Sequence, residues 1–337
     1  MNAEIVSSRH DWADIAKGIG IFLMVMGHSS LPEPLHNWIY SFHMPFFFIL
    51  SGFFFKSGKY TFGSFLQRRI KTILLPYVFF AISDVIIRNF CNQIGLIVPP
   101  PLSIEQIVVL GKDIGAAWFL LSLLFTEVLF FIIDKVSRVR GTKMLITVLT
   151  FMGSYYCYSK ALHFPYKIEI LGATLLYYCL GNMIAQAPIN KCVIEYCFKG
   201  KWILFLFGLF VLDLIIANQL NPVINLRLNR LGIHIPSLLL ILFGSFIIIQ
   251  SSHFISSCHN IGVNICRRFF KYIGEFSIVL IGFSQVTLQI LKSLFSYLNI
   301  SVMITTSIRY IMLWFIMLLL IYLFKNYMPM LIGKTKI

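Results

Sequence analysis

The sequence predicts an all-α polytopic membrane protein of about ten transmembrane helices, and three observations carry that prediction. Of 337 residues, 58% are hydrophobic and only 12% charged, with a mean hydropathy of +0.83. A soluble domain carries about a quarter charged residues, so this chain has too few charges to cover a water-facing surface. Apolar runs of membrane-spanning length recur from end to end. Lysine and arginine fall unevenly among the segments that separate those runs.

The runs define candidate spans at about 12–30, 38–55, 72–90, 115–134, 144–161, 168–186, 202–217, 235–250, 273–292 and 303–324. An even number places both termini on one side. The segments 56–71, 135–143, 187–201 and 251–272, with the two termini, hold 19 basic residues; the opposite set holds eight. The positive-inside rule therefore predicts that both termini are cytoplasmic. It also accounts for the formal charge of +15 without a nucleic-acid partner. Asp11, Asp14 and Lys17 break the first apolar run and no A-x-A-like site follows, which predicts an uncleaved first helix. The polar segments around 91–114 and 218–236 are short for independent domains, so a single membrane domain is expected over residues 1–337. Trp12, Trp38, Trp118 and Trp202 fall near span ends, where interface anchors belong.

The seven cysteines form no strong metal pattern. Cys192, Cys197, Cys258 and Cys266 lie in or beside predicted cytoplasmic loops, where thiols stay reduced. His253, Cys258 and His259 are spaced too loosely to predict a metal site.

The first span, D-I-A-K-G-I-G-I-F-L-M-V-M-G-H over 14–28, holds ionisable groups at both ends. Helical geometry puts Lys17 and His28 about 20° apart and Asp14 about 40° from His28, with roughly 16 Å of rise from lysine to histidine. Such groups within a span usually face the bundle interior or a water-filled cavity. The plain alternative is an i,i+3 Asp14–Lys17 ion pair near the headgroups, with Lys17 snorkelling and His28 interfacial. His43, near the outer end of the second span, lies at a depth similar to His28 on an adjacent antiparallel helix. Further along are Ser51 and Gly52, a small pair that admits a close backbone or a ligand. Arg68, Arg69 and Lys71 precede the third span, where topology alone, lipid phosphate or an anionic ligand would each account for them. Arg227, Arg230 and His234 sit on the face that topology depletes of basic residues, and suit either a plain loop or an anionic glycan.

Together these segments resemble the acyltransferase 3 family of integral-membrane acyltransferases, nearest the fucose 4-O-acetylase and polysaccharide O-acetyltransferase branch. The family's basic residue, ten intervening residues and histidine are met by Lys17 and His28. F-H-M-P-F-F-F-I-L-S-G-F (42–53), the basic run ending in L-L-P-Y (68–77) and A-W-F-L-L-S-L-L (117–124) match further blocks. Many relatives carry another histidine about where Ser284 stands. The resemblance implies transfer of an acyl group, usually acetyl from acetyl-CoA, to a sugar hydroxyl across the plasma membrane, the inner membrane of a bacterium. It implies His28 as general base or transient acyl carrier, and Asp14, Lys17 and His43 as its catalytic companions. Arg68, Arg69, Lys71 and Ser51 would hold the donor, with a lipid-linked or polymeric carbohydrate as acceptor, membrane lipids around it, and no metal. A transporter or flippase is the rival reading, although no two-half symmetry is visible. An inactive scaffold is the other.

Overall fold

Apolar runs punctuated by short polar segments become helix after helix. A computed structural model describes residues 11–29, 31–112, 114–187, 201–220, 224–231, 235–258, 260–296 and 302–334. Among these the only β feature is an isolated bridge pairing Asn225 with Arg230. The helices are α1 (Asp11–Gly27), α2 (Glu33–Phe53), α3 (Phe62–Arg69), α4 (Leu75–Gln93), α5 (Ile104–Val108), α6 (Trp118–Val136) and α7 (Arg140–Ser159). They continue with α8 (Leu171–Gln186), α9 (Lys201–Leu220), α10 (Ile235–Ser257), α11 (Ile261–Glu275), α12 (Ser277–Ser296) and α13 (Val302–Tyr327). A π-turn, Ile70–Leu74, joins α3 to α4 and makes Phe62–Gln93 one continuous helix of 32 residues.

By length and composition, five described helical segments can cross a membrane: Phe62–Gln93, Pro165–Gln186, Pro236–Ser257, Ser277–Ser296 and Ile304–Tyr327. The other predicted spans also overlap helices, but those are shorter or interrupted by polar groups. Asp11, Asp14 and Lys17 fall within the 17 residues of α1. His43 and Pro45 lie inside α2, and Glu127, Asp134 and Lys135 inside α6.

Two expectations are corrected. The segment 251–272, expected as a loop, is mostly helix: α10 runs on to Ser257, and α11 begins one residue after its cap Asn260. Arg267, Arg268 and Lys271 break the apolar run there, yet the other face of α11 buries Ile273 and Gly274. Nor are Trp38 and Trp118 lipid-interface anchors, for both are buried in the bundle. Trp38 Nε1 donates to Asp213 Oδ2 on α9 at 2.9 Å, which supplies a polar partner for a carboxylate inside the protein. Trp12 stacks on His253 with ring centroids 4.3 Å apart. Predictions resting on Cys192, Cys197, Trp202, His234 and His259 fall outside the residues whose side chains are described.

α1 is enclosed by α2, α10, α11 and α12. Its crossing with α11 is set by glycines on both sides. A Cβ on Gly18 would overlap the Phe270 carbonyl, and one on Gly274 the Asp14 carbonyl. The α2–α8 crossing repeats the device, with Gly52 against the Tyr178 carbonyl and Gly181 against that of Ile49. Small residues let helix backbones touch where lipid supplies no hydrophobic drive to associate. Gly274→Leu is therefore expected to destabilise the protein by at least ~2 kcal/mol, read as loss of monodisperse protein on heating in detergent. Gly208→Ala, where a Cβ meets open space, should match the wild type.

Candidate active site

The short turn between α1 and α2 sets their ends side by side. His28 sits one residue past α1, where Tyr310 of α13 donates to the Met26 carbonyl at 3.3 Å and holds the helix end. Gln285 of α12 approaches His28 Nε2 through its amide nitrogen at 2.8 Å, and Tyr40 Oη lies 3.3 Å from His28 Nδ1. An amide nitrogen can only donate, so Nε2 accepts, and Nδ1 carries the proton and donates to Tyr40. The lone pair a base requires is thus on Nε2, and a hydroxyl replacing the Gln285 amide would donate to it.

His43 is buried, and its Nδ1 lies 2.8 Å from the carbonyl of Ile39, one turn earlier. A carbonyl only accepts, which makes Nδ1 the donor and leaves Nε2 as the acceptor nitrogen. Tyr40 lies between the two histidines, edge-on to His28 and with its ring 4.9 Å from that of His43. All three line a cavity of about 180 Å³ together with Asn225, Arg227 and Gln285.

A second chamber, of about 460 Å³, lies at the Lys17 end of α1. Its polar lining is Lys17, Ser51, Arg68, Arg69, Thr72, Glu127 and Ser277. Asp14, buried, pairs with Lys17 at 3.1 Å and fixes the ammonium from behind. Glu127 on α6 pairs with Arg69 at 2.7 Å, while Arg69 also lies over the Phe65 ring. Arg68 bonds the Tyr60 hydroxyl and lies over that ring, 5.3 Å from its centroid. Phe47, Phe119 and Ile281 line both chambers and form the wall between them.

The predicted site residues therefore divide between two places. His28 and His43 meet in one chamber; Lys17, Ser51, Arg68 and Arg69 meet in the other. Asp14 stands behind Lys17. Lys71 is exposed and is not among the residues lining the chamber: Arg68, Arg69, Thr72 and Ile73 line it at i, i+4 spacing, and helical phase turns Lys71 off that face. Ser284 is buried and absent from both linings; its neighbour Gln285 is the residue that reaches His28. Tyr40, Gln285 and Glu127 were missed. The criterion applied to α1, an ionisable group inside an apolar helix, would have selected Glu127.

A half-buried and a buried histidine on one side of a thin apolar wall and a cationic chamber on the other, inside a helical bundle with membrane-spanning segments, suit a membrane-embedded group-transfer enzyme. Residues 10–325 match the acyltransferase 3 family (Acyl_transf_3, "Acyltransferase domain"), and the chain belongs to that family. It is a membrane acyltransferase. No curated protein and no solved structure matches the chain.

Removing one partner of a buried ion pair typically costs 3–5 kcal/mol, so Glu127→Ala should cost about 3 kcal/mol. The Glu127→Ala, Arg69→Ala double variant should cost less than the sum of the two single ones. Melting temperatures of the four proteins in detergent decide it, and additive losses would show the pair to be uncoupled.

Proposed function

We propose that this chain transfers an acyl group, acetyl in the first instance, from cytoplasmic acetyl-CoA to a hydroxyl of a cell-surface sugar or its lipid-linked precursor. What supports this reading is the pair of chambers at opposite ends of α1, divided by Phe47, Phe119 and Ile281. The positive-inside bias assigns the Lys17 end to the cytoplasm. There Lys17, Arg68 and Arg69 offer cationic donors for the phosphates of the acyl-CoA, with Arg69 oriented by Glu127. The acyl end of the donor would pass the wall to meet an acceptor admitted from the opposite side, in the plasma membrane of a bacterium.

Four residues then have distinct tasks. His28 Nε2 takes the proton of the acceptor hydroxyl as that oxygen attacks the thioester carbonyl. The new C–O bond forms, the C–S bond breaks, and the imidazolium returns the proton to the leaving thiolate. Gln285, displaced from His28 by the hydroxyl, is placed to donate to the carbonyl oxygen as it gains charge. His43 accepts from a second hydroxyl of the sugar through Nε2, and Tyr40 fixes the His28 ring. A transporter is the second reading, because two chambers with a thin wall between them also outline an occluded path. Substrate flux without an acyl donor would favour it.

His28→Ala is expected to reduce acyl transfer by about 10²–10⁴-fold. Mass spectrometry of surface glycans from cells carrying the intact gene, a deletion, or His28→Ala at matched membrane abundance measures this. Esters lost in the deletion but kept in His28→Ala would exclude the base role. The side of the membrane has its own check: in a cysteine-free background, Glu33→Cys should react with an impermeant maleimide added outside intact cells. Labelling only in inverted vesicles would reverse the proposed route.

A further inference from the structure

The chamber around His28 is layered. His28, His43 and Gln285 stand at one level of it, and one helical turn toward the cationic chamber an apolar residue follows on each of their helices. Met24 lies four residues before His28, Phe47 four after His43, and Ile281 four before Gln285. Four residues of helix rise about 6 Å. Phe119 of α6 completes this apolar layer.

The layer is tightly built. Met24, Phe47, Phe119 and Ile281 are all buried. The Phe119 ring packs against both Phe47 and Phe48, with centroids 5.6 and 5.2 Å away. Phe47 in turn meets Phe46 at 5.4 Å. Both of those rings press on α1 at Gly20, where a Cβ would stand 2.8 Å from Phe46 and 3.0 Å from Phe47. Side chains packed this closely do not make room for an extra methylene without strain.

We propose that Phe47 and Phe119 set the length of the acyl group that the enzyme transfers, and that they restrict it to acetyl. This inference rests on the acyl-transfer reading and adds a specificity-determining role for the apolar wall. With the thioester carbonyl beside His28 and Gln285, the sugar occupies the polar level of the chamber. The sulfur and the alkyl end of the acyl group are left to the apolar level. The sulfur leads back through the wall toward the phosphates. The alkyl end has what remains of a chamber of about 180 Å³, above a floor one turn away. A methyl group fits that depth. A longer chain meets the phenylalanine rings or turns back into the space of the sugar.

The test supplies membrane vesicles with unesterified glycan from a deletion strain and with radiolabelled acetyl-, propionyl- or butyryl-CoA. One methylene too many in an apolar pocket is worth about 10- to 200-fold, so wild-type kcat/KM for propionyl-CoA is expected to lie that far below the value for acetyl-CoA, with butyryl-CoA lower still. Phe119→Leu and Phe119→Ala should each raise the propionyl-to-acetyl and butyryl-to-acetyl ratios at least about 10-fold, the alanine variant more, because it leaves the larger space. Each ratio is taken within one protein, so abundance and folding yield cancel. Phe119→Leu, the milder change, decides the question if Phe119→Ala does not accumulate. Equal use of all three donors by the wild type would overturn the proposal, as would wild-type ratios in both variants, and in either case acyl transfer itself would stand. If wild-type vesicles transfer none of the three acyl groups, the acyl-transfer reading falls and this inference with it.

Discussion

A carboxylate and an ammonium one turn apart on α1 cannot be left against lipid, and the bundle is arranged around that requirement. A charged side chain at the centre of a helix span costs about 2.5–3.5 kcal/mol even on the mildest scales, and less toward the span's ends, where Asp14 and Lys17 stand. Asp14 and Lys17 meet that cost by pairing at 3.1 Å, and Asp14 is left only 1% exposed. Enclosure on that scale requires neighbours that come very close. Gly18 and Gly274 allow α11 to lie directly over the Asp14 turn, while α2, α10 and α12 cover the remaining sides. The amphipathic α11 is therefore as much a part of the polar centre as α1, although it supplies no side chain to either chamber.

Once α1 is enclosed, its two ends become separate environments. Aromatic and aliphatic side chains from α2, α6 and α12 meet between them, so the cationic chamber and the histidine chamber touch only across Phe47, Phe119 and Ile281. The separation keeps the Lys17, Arg68 and Arg69 charges away from the basic nitrogen of His28. It also gives each chamber its own supporting contacts: Glu127 and Asp14 on one side, Tyr40 and Gln285 on the other. Similar logic holds elsewhere in the bundle, where Arg88 pairs with Asp84 at 2.7 Å and Trp38 answers Asp213.

Much of this was legible in the residues because it is local. The phase of Asp14, Lys17 and His28 follows from helical geometry, and the depth match of His43 follows from a short turn between antiparallel helices. The rest depends on contacts between residues far apart in the chain. Nothing near Trp38 announces a partner 175 positions away in Asp213, so an interface role was the natural reading. Gln285 is an uncharged amide in an apolar helix and acquires meaning only when α12 lies beside His28, 257 positions earlier. α11 was read as loop because its charges interrupt an apolar run, although its helical period was present. Lys71 was grouped with Arg68 and Arg69 by proximity in sequence, although helical phase turns it off the face that carries the two arginines.

That phase is the least conspicuous determinant of the site. A π-turn is one surplus residue absorbed by a helix that otherwise continues. If any one of the five residues Ile70–Leu74 were deleted, the helix could close again as plain α. Because the π-turn had absorbed that residue, Arg68 and Arg69 would keep their phase relative to α4. Deletion of a residue from the plain α-helical turns of α4, where nothing is absorbed, would instead turn everything before it by about 100° about the helix axis. In that case Arg68 and Arg69 would swing away from Glu127 and the cationic chamber without any change in their identity. A single-codon length change could thus take both cations out of the chamber in one step, leaving composition, hydropathy and helix count almost untouched. Among homologous chains, the length of this helix carries information that residue identity alone does not.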